Sequence, residues 1–323
     1  MKGQVTGRRA VRRWFALAED TLQAHAGPLN RLNVFPVADS DTGSNMIATL
    51  RAAGHAVEGS RSEDLGELLA AAGSGAMIAA RGNSGTLLGV LISGFAEPLH
   101  GQSRLTLPGL SAALDRGGLR AWSALSDPVA GTMLSVVDAV AEHLRAAVGT
   151  TGHEPGSRAE LEAALAEADV VARRAVVATE EQLETLRAAG VVDSGGAGVM
   201  LVVAALKAVI TGGSVDHGLI EGLRGWARDT TEPCGRIQAE AASGVEIMCT
   251  VRLDPLGAAS LRHQLDTVGD SVIITPVDTE PDDGGSYRWR IHVHTEEVSR
   301  ASSVLQGAGT VEDWQVTEMA GGR

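Results

Sequence analysis

The sequence predicts a helical domain followed by a small α+β domain. Apolar residues recur at helical spacing in eight consecutive segments of the first 210 residues, and beyond residue 244 the apolar period changes to two. Aromatic residues make up only 3% of the 323 residues, whereas hydrophobic residues make up 44%. The core must therefore consist mainly of Ala, Val and Leu, which suits close-packed helices. We place the domains at 1–212 and 244–323, with a linker at 213–243.

The helical domain begins with an amphipathic helix at 8–26, in which apolar side chains lie on one face and arginines on the other. Seven further segments repeat this period, and helical patterns in such a run imply an all-helical domain. These segments are 44–55, 65–77, 84–95, 106–119, 131–147, 158–188 and 198–210.

The second domain alternates strands and helices. Its order is the split βαβ arrangement, with strands at 245–253, 271–277, 287–295 and 310–319 and helices at 258–268 and 296–306. The linker before it is rich in Gly, Asp, Glu and Pro. We expect one short helix in the linker and packing of Trp226.

Charge and cysteine usage exclude several classes of protein. A net charge of -13 argues against nucleic acid as the main partner, because such binding depends on basic side chains that neutralise phosphates. The two cysteines, Cys234 and Cys249, lie too close in sequence to staple the fold, and the N-terminus does not resemble a secretory signal. We therefore expect a reducing, cytoplasmic setting. The apolar run at 199–210 contains Lys207 and is shorter than the roughly 20 residues of a membrane span, so no transmembrane segment is expected.

Lysine occurs only at Lys2 and Lys207, so nearly all positive charge is carried by arginine. A P-loop needs a glycine-lysine pair and a protein kinase needs a strand lysine, and the sequence contains neither pattern. A nucleotide site in this chain must therefore use other groups to hold phosphates.

Four clusters of small residues each stand at the start of an apolar helix. A helix start presents unpaired N–H groups and about half a positive charge, so four converging starts would make a phosphate cradle without lysine. Hydroxyls of Thr42, Ser44, Ser84 and Thr132 can donate there, and Arg81 is the expected side-chain cation. Each cluster alone is also an ordinary helix cap. The clusters are DSDTGSNM (39–46), ARGNSGTLLG (80–89), DPVAGTML (127–134) and VVDSGGAGVM (191–200).

Two carboxylates distinguish the first cluster from a set of helix caps. Asp39 and Asp41 are one residue apart on a loop that leads directly into a helix start. Mg²⁺ in proteins is typically bound by one or two carboxylates together with substrate phosphates. The pair therefore predicts a metal ion beside a bound triphosphate.

The segment NVFPVADSDTGSNM, the other three clusters and their order resemble the DAK2 (dihydroxyacetone kinase L-type) domain, most closely that of the large chain of bacterial fatty acid kinase. The second domain is similar to that family's middle domain. The resemblance implies an all-α eight-helix antiparallel barrel with ATP or ADP at one end. It implies that Asp39 and Asp41 hold two Mg²⁺ ions. We expect Arg81, the side-chain cation of the second cluster, to act with them in catalysis. The nucleotide-binding residues it implies are Thr42, Gly43, Ser44, Asn45, Asn83, Ser84, Gly85, Thr132, Met133 and Asp193.

The chain departs from the family pattern in two places. The family usually has PDGD where this chain has Ala38-Asp39-Ser40-Asp41, and a serine in place of glycine strains the loop if φ is positive there. Family members usually continue into a further C-terminal domain that engages a lipid carrier, so we expect this chain to be a fragment or a short variant. Asn33 stands near the place where sugar-kinase relatives have a third metal-binding acid.

The acceptor predicted from these features is a carboxylate. A hydroxyl acceptor needs a base, whereas a fatty acid is ionised at pH 7, and none of the four clusters contains histidine. In the resembled family a DegV-type protein presents the fatty acid, and the product is an acyl-phosphate. Two alternatives stay open: a kinase component of the dihydroxyacetone type, and a non-catalytic nucleotide-binding scaffold.

The second domain contains candidate metal ligands. His292 and His294 share one face of a strand, because side chains alternate with period two, and Cys249 lies in the middle of another strand. These residues make a zinc set if the strands are neighbours, although a surface histidine pair and a buried cysteine would look the same. The resemblance implies zinc at these residues and a homodimer through this domain.

Overall fold

The computed structural model describes residues 7–227, 244–278 and 280–319. The first described range is helical, as predicted, and contains two short 3₁₀ helices, Glu97–Leu99 and His217–Ile220. Its α-helices are α1 Arg8–Ala24, α2 Ala26–Leu32, α3 Thr42–Gly59, α4 Leu65–Ala79, α5 Gly82–Gly94, α6 Leu107–Ala124, α7 Met133–Ala147, α8 Arg158–Leu165, α9 Ala168–Gln182, α10 Glu184–Ala189 and α11 Ser194–Thr211.

The predicted count of eight helices differs from the eleven α-helices in residues 7–227. The segment predicted at 158–188 is three helices, because the backbone leaves helical geometry at Leu183 and α8 ends before α9 begins. Helix α2 follows α1 after a break at His25. Apolar periodicity continues across interruptions this short, so the pattern does not reveal them. The antiparallel barrel stays a prediction.

The long helices of the first domain share one apolar core. Helix α1 packs against α3 and α3 against α4, and the series of neighbours continues through α5, α6, α7, α9 and α11, which packs in turn against α1. Helix α11 is long and apolar enough to cross a membrane, but 78% of this stretch is buried inside the protein. Such burial is typical of a core helix. The carbonyl of Val202 in α11 also accepts a hydrogen bond from the indole N–H of Trp14 at 3.1 Å.

The second domain is a four-stranded antiparallel sheet with two helices. The strand order is β2-β3-β1-β4, with both pairings of β1 and the pairing of β2 with β3 antiparallel. Its elements are β1 Val245–Leu253, α12 Pro255–Leu265, β2 Asp270–Pro276, β3 Tyr287–Thr295, α13 Val298–Ala308 and β4 Val311–Glu318. The predicted small α+β domain is therefore present.

The sheet packs on both of its faces. On one face Ile247, Cys249 and Ile291 join the core formed with α12 and α13. On the other face Ile273 and Val277 belong to the core of the helical domain. Alternation along β2 explains this division, because successive side chains point to opposite faces.

A backbone connection reinforces the contact between the domains. The N–H of Ser126 donates to the carbonyl of Val272 at 3.1 Å, and Leu125 forms an isolated antiparallel bridge with Ile273. The loop before α7 is therefore attached to strand β2 of the second domain.

Part of the predicted linker lies outside the described residues, including Cys234. In the described part, the 3₁₀ helix at His217–Ile220 is present and Trp226 is buried, as expected. The Trp226 ring lies edge-on to His25, with ring centroids 5.6 Å apart.

Candidate functional site

The four clusters meet in one cleft of about 480 Å³, a size typical of small-molecule sites. Each cluster contributes to its wall, and so does the second domain. The helical domain lines it with Asn33, Phe35, Pro36, Val37, Asp39, Asp41, Thr42, Gly82, Asn83, Ser84, Leu87, Leu125, Ser126, Asp127, Val129, Thr132, Met133, Asp193 and Gly195. The second domain lines it with Asp266, Gly269, Asp270, Ser271, Val272 and His294.

The acidic loop lies at the start of α3. Asp41 is the residue before the helix, and its side chain does not cap it. The amide of Asn33 donates to a carboxylate oxygen of Asp39, so Asn33 orients the first acid. Ser40 between the two acids has φ of 58°, in the left-handed region that costs an L-residue about 1–2 kcal/mol. This is the strain expected where the family has glycine.

The electrostatics of this loop favour a cation. Burial, together with the negative charge of Asp41, raises the pKa of Asp39 to about 7. None of the described residues that line the cleft is an arginine or a lysine. The described lining therefore offers the two carboxylates no arginine or lysine, and a divalent ion would supply positive charge there.

The second cluster forms the start of α5. Gly82 has φ of 59°, and a Cβ there would lie 2.3 Å from Nδ2 of Asn45, so the α3 and α5 starts touch closely. Within the described structure, Nδ2 of Asn45 and Oδ1 of Asn83 are buried without a hydrogen-bond partner. Unpaired buried polar atoms beside a cleft fit a polar ligand there.

The third and fourth clusters are tied together by Asp193. Its carboxylate accepts the N–H of Gly196 at 2.6 Å and the N–H of Met133, so it holds the starts of α11 and α7 side by side. Burial raises the pKa of Asp193 to about 7, although both hydrogen bonds oppose that rise. Thr132 lines the cleft and donates its hydroxyl to the carbonyl of Val129 at 3.1 Å.

Five of the residues predicted for the nucleotide and magnesium site lie outside the cleft lining. Arg81 is exposed before α5, so the predicted side-chain cation is not in the wall. The backbone N–H and hydroxyl of Ser44 both bond to the side chain of Asn30. Only part of a helical first turn can face one ligand, which explains this division. The five residues are Gly43, Ser44, Asn45, Arg81 and Gly85.

The glycines among them serve helix packing. A Cβ on Gly43 would lie 2.9 Å from Oδ1 of Asn30, on the side of α2. A Cβ on Gly85 would lie 2.9 Å from Oγ1 of Thr49, where α3 and α5 cross. Both positions therefore need glycine for close helix approach.

The predicted zinc set is corrected by the strand register. Cys249 pairs with Ile291 and belongs to the core under α12 and α13, whereas His292 pairs with Met248 and His294 with Glu246. The cysteine and the histidines therefore lie on opposite faces of the sheet. Burial raises the pKa of Cys249 to about 12, which is the behaviour of a core thiol.

A different residue completes the histidine pair. Potential ligand atoms of Glu246, His292 and His294 all lie within 4.8 Å of one another. Both ring nitrogens of His292 and Nδ1 of His294 are buried without a hydrogen bond in the described structure. Two imidazoles and a carboxylate form a ligand set that zinc accepts in proteins.

Burial and the contacts within this cluster together shift the pKa values of His294 and Glu246. Burial, and then the nearby His292, lower the pKa of His294 to about 3. The pKa of Glu246 is lowered although burial opposes it, because His292, His294 and the N–H of Gly82 favour the carboxylate. A neutral imidazole at His294 and an ionised carboxylate at Glu246 are the forms of these groups that ligate metals.

No local sequence pattern indicates the wall that the second domain supplies to the cleft. Asp266, Asp270 and Ser271 stand in no motif, and only docking of the domains brings them to the cleft. Glu246 carried a usable signal, because it is an acidic residue near the start of a mostly apolar strand. Its role became visible once β1 was paired with β3.

Comparison with known proteins places the chain in a family. Residues 36–208 match the DAK2 domain, and residues 244–322 match the FakA-like middle domain of fatty acid kinases. The chain is 28% identical over 309 residues to protein YloV of Bacillus subtilis, covering 92% of this chain and 53% of that protein. It is 35% identical over 195 residues to an uncharacterized protein of Staphylococcus saprophyticus, covering 60% of this chain and 34% of that protein. The chain thus matches about half the length of YloV and about a third of the length of the Staphylococcus protein.

Among solved structures, the dihydroxyacetone kinase of C. freundii, in complex with AMP-PNP and Mg²⁺, is similar with a TM-score of 0.46 and 20% identity. The similarity covers 61% of this chain and 33% of that chain. The DAK2 match alone covers more than half of the sequence and both acidic-loop residues. The chain belongs to the DAK2 domain family and has, in the part it spans, a DAK2 domain followed by a FakA-like middle domain, which is the domain order of fatty acid kinases of this type.

Proposed function

We propose that this chain is the nucleotide-binding part of an ATP- and magnesium-dependent kinase. The observation that carries the proposal is the meeting of four small-residue clusters and the Asp39–Asp41 pair in one cleft. Helix starts and a metal-binding acid pair together replace the lysine that other kinases use.

The residues in the cleft fit magnesium and a nucleotide. Asp39 and Asp41 would hold two Mg²⁺ ions, which neutralise phosphate charge when bound. Thr42, Asn83 and Ser84 would hold phosphates at the starts of α3 and α5, which have no side-chain cap of their own. Thr132 and Met133 would contact the nucleotide. Catalysis would then rest on positioning and on charge neutralisation.

The acceptor we propose is the carboxylate of a fatty acid, which gives an acyl-phosphate. The match of residues 244–322 to the FakA-like middle domain of fatty acid kinases supports this choice. An ionised carboxylate needs no general base. His294 lines the cleft, but a pKa lowered to about 3 makes it a weak base at pH 7.

We propose a DegV-type protein as the carrier of the fatty acid, a homodimer through the second domain, and a cytoplasmic location. The net charge of -13 speaks against nucleic acid as a partner. For the second metal site we propose that Glu246, His292 and His294 bind zinc. This ligand set replaces the predicted set of Cys249, His292 and His294.

Phosphoryl transfer from radiolabelled ATP tests the proposal. The chain is incubated with Mg²⁺, a fatty acid and a DegV-type carrier, and we expect labelled acyl-phosphate only when the carrier is present. Asp41→Asn should abolish the label, whereas Asp20→Asn, which changes an exposed aspartate on α1, should leave it unchanged.

Other outcomes separate the alternatives. Label on dihydroxyacetone would favour the hydroxyketone kinase. Nucleotide binding without transfer to either acceptor would favour the scaffold, for which the strained Ser40 is the supporting observation. An unchanged melting temperature at saturating Mg-ATP would remove the nucleotide site itself, since binding at about 100 times Kd stabilises a fold by roughly 2.7 kcal/mol.

A further inference from the structure

One side chain of the second domain reaches the phosphate-binding wall of the first. Oε1 of Glu246 on β1 accepts a hydrogen bond from the backbone N–H of Gly82 at 2.8 Å. Gly82 is the first residue of α5, so this N–H is one of the donors that a helix start leaves without a partner inside the helix. The contact joins residues 164 positions apart in the chain.

Gly82 is held in position from two sides. Its φ of 59° and the close approach of Asn45 restrict the peptide on the side of α3. Glu246 holds the N–H on the side of the second domain. Because Gly82, Asn83 and Ser84 all line the cleft, the position of this peptide sets where the α5 start points.

The same carboxylate belongs to the buried histidine cluster. Oε1 of Glu246 lies 3.0 Å from Nδ1 of His292, which has no aligned hydrogen bond. His294 stands in the same cluster and also lines the cleft. A metal ion held there would restrict the rotation of the Glu246 side chain, which then holds Gly82 at a lower cost in conformational entropy.

We infer that Glu246 couples metal binding at Glu246, His292 and His294 to nucleotide binding in the cleft, as a residue shared by the two sites. The inference rests on the proposed nucleotide site and assigns the second domain a positioning role in it. The coupling is positive, because the metal stabilises the arrangement in which Gly82 is already fixed. By thermodynamic linkage, nucleotide must tighten metal binding by the same factor.

A binding cycle on the whole chain measures the coupling. The protein is stripped with a chelator or loaded with zinc and freed of excess ion, and the Kd for Mg-ADP is measured by calorimetry on both forms. We expect Mg-ADP to bind at least about fivefold more tightly to the zinc-loaded form. The zinc Kd, measured in a metal buffer with and without Mg-ADP, should change by the same factor.

Two variants locate the coupling in Glu246. In Glu246→Ala, Mg-ADP should bind more weakly than in the wild type, with a larger Kd, and this Kd should no longer respond to zinc. Glu246→Gln keeps an oxygen that accepts the Gly82 N–H but is a poor metal ligand, so it should restore the affinity of the stripped form without restoring the zinc response. Glu297→Gln, an exposed glutamate of the same domain, should behave as the wild type. Melting curves confirm that each variant is folded.

The outcomes distinguish this inference from the proposed function. Tight Mg-ADP binding with no response to bound zinc, or a wild type that binds no zinc, overturns the coupling and leaves the nucleotide site intact. An equal zinc response in Glu246→Ala also overturns it. Absence of Mg-ADP binding in both forms would overturn the nucleotide site first, and the inference with it.

Discussion

At the scale of single residues, Asp39 and Asp41 form a site that lowers the stability of the metal-free fold. Neither carboxylate meets an arginine or lysine in the cleft lining, and Asn33 supplies the hydrogen bond that orients Asp39. The repulsion and burial that raise the pKa of Asp39 are costs that a bound cation removes. Perturbed carboxyl groups in a cleft are typical of functional sites.

We predict that the metal-free protein loses stability as the pH rises from about 4 to 7. Asp39 and Asp193 both have a pKa raised to about 7 in the fold, against about 3.9 in an unfolded chain. In this window the two carboxyl groups bind more protons in the folded state than in the unfolded state, which lowers the free energy of unfolding as the pH rises. The lowered pKa of His294 acts in the opposite direction up to about pH 6.5, but it is one group against two, so the net free energy of unfolding falls. Urea denaturation at pH 5 and pH 7.5, without Mg²⁺, measures the effect.

The control for this pH dependence is a variant. Asp39→Asn should make the fall smaller, with Asp193 supplying the remainder, whereas Asp20→Asn should retain the full fall. Saturating Mg²⁺ should also reduce the fall in the wild type, because the ion favours the ionised pair. A pH slope that is identical in Asp39→Asn would contradict the assignment of the raised pKa.

At the scale of elements, the site depends on how closely helix starts approach one another. Helices α3 and α5 touch through Gly82 and Asn45, and Asp193 accepts N–H groups from the first turns of α7 and α11. Each helix could form from its own apolar period. The distances between the starts are set by small residues at the crossings and by the carboxylate that joins them.

We predict that Gly82→Ala costs about 2–4 kcal/mol of stability and weakens Mg-ADP binding. The change forces an L-residue into a left-handed conformation and places a methyl group 2.3 Å from Nδ2 of Asn45. Gly101→Ala is the matched control, because Gly101 also has a positive φ but has open space around its Cβ position. It should cost only about 1–2 kcal/mol and leave nucleotide binding unchanged, as chemical denaturation and calorimetry would show. Equal losses in the two variants would mean that the contact with Asn45 carries no cost.

At the scale of the whole molecule, the second domain is part of the cleft. Its sheet packs one face under α12 and α13 and the other against the helical domain, through Ile273 and Val277. The same docking brings Asp270 and His294 to the cleft wall. A ligand of the acidic loop therefore lies beside a wall that both domains form.

We predict that Ile273→Ala and Ile274→Ala have different effects although the two residues are neighbours. Both are buried, and each substitution should cost about 2–5 kcal/mol of stability. Ile273 packs in the core of the helical domain, so its loss should also loosen the docking and weaken Mg-ADP binding. Ile274 packs in the core of the second domain, so its loss should leave the affinity of the folded protein unchanged. Calorimetric titration tests this, and equal affinities would contradict it.

The sequence by itself determined the order of helices and strands, the four clusters and the acidic pair. These features follow from local chemistry: apolar period, helix-start residues and the repulsion of adjacent carboxylates. They also sufficed to predict that the cleft binds a nucleotide and magnesium, and this binding stays a proposal. Short breaks such as that at Leu183 escaped detection because the apolar period continues across them.

Only the tertiary structure decided which of these residues face one another. Strand register separated Cys249 from His292 and His294 and brought Glu246 to the histidines. Helix phase turned Ser44 toward Asn30 and left Arg81 outside the cleft lining. Domain docking joined Glu246 to Gly82 across 164 residues. Such contacts depend on the packing of distant surfaces, for which the local pattern of a sequence carries no signal.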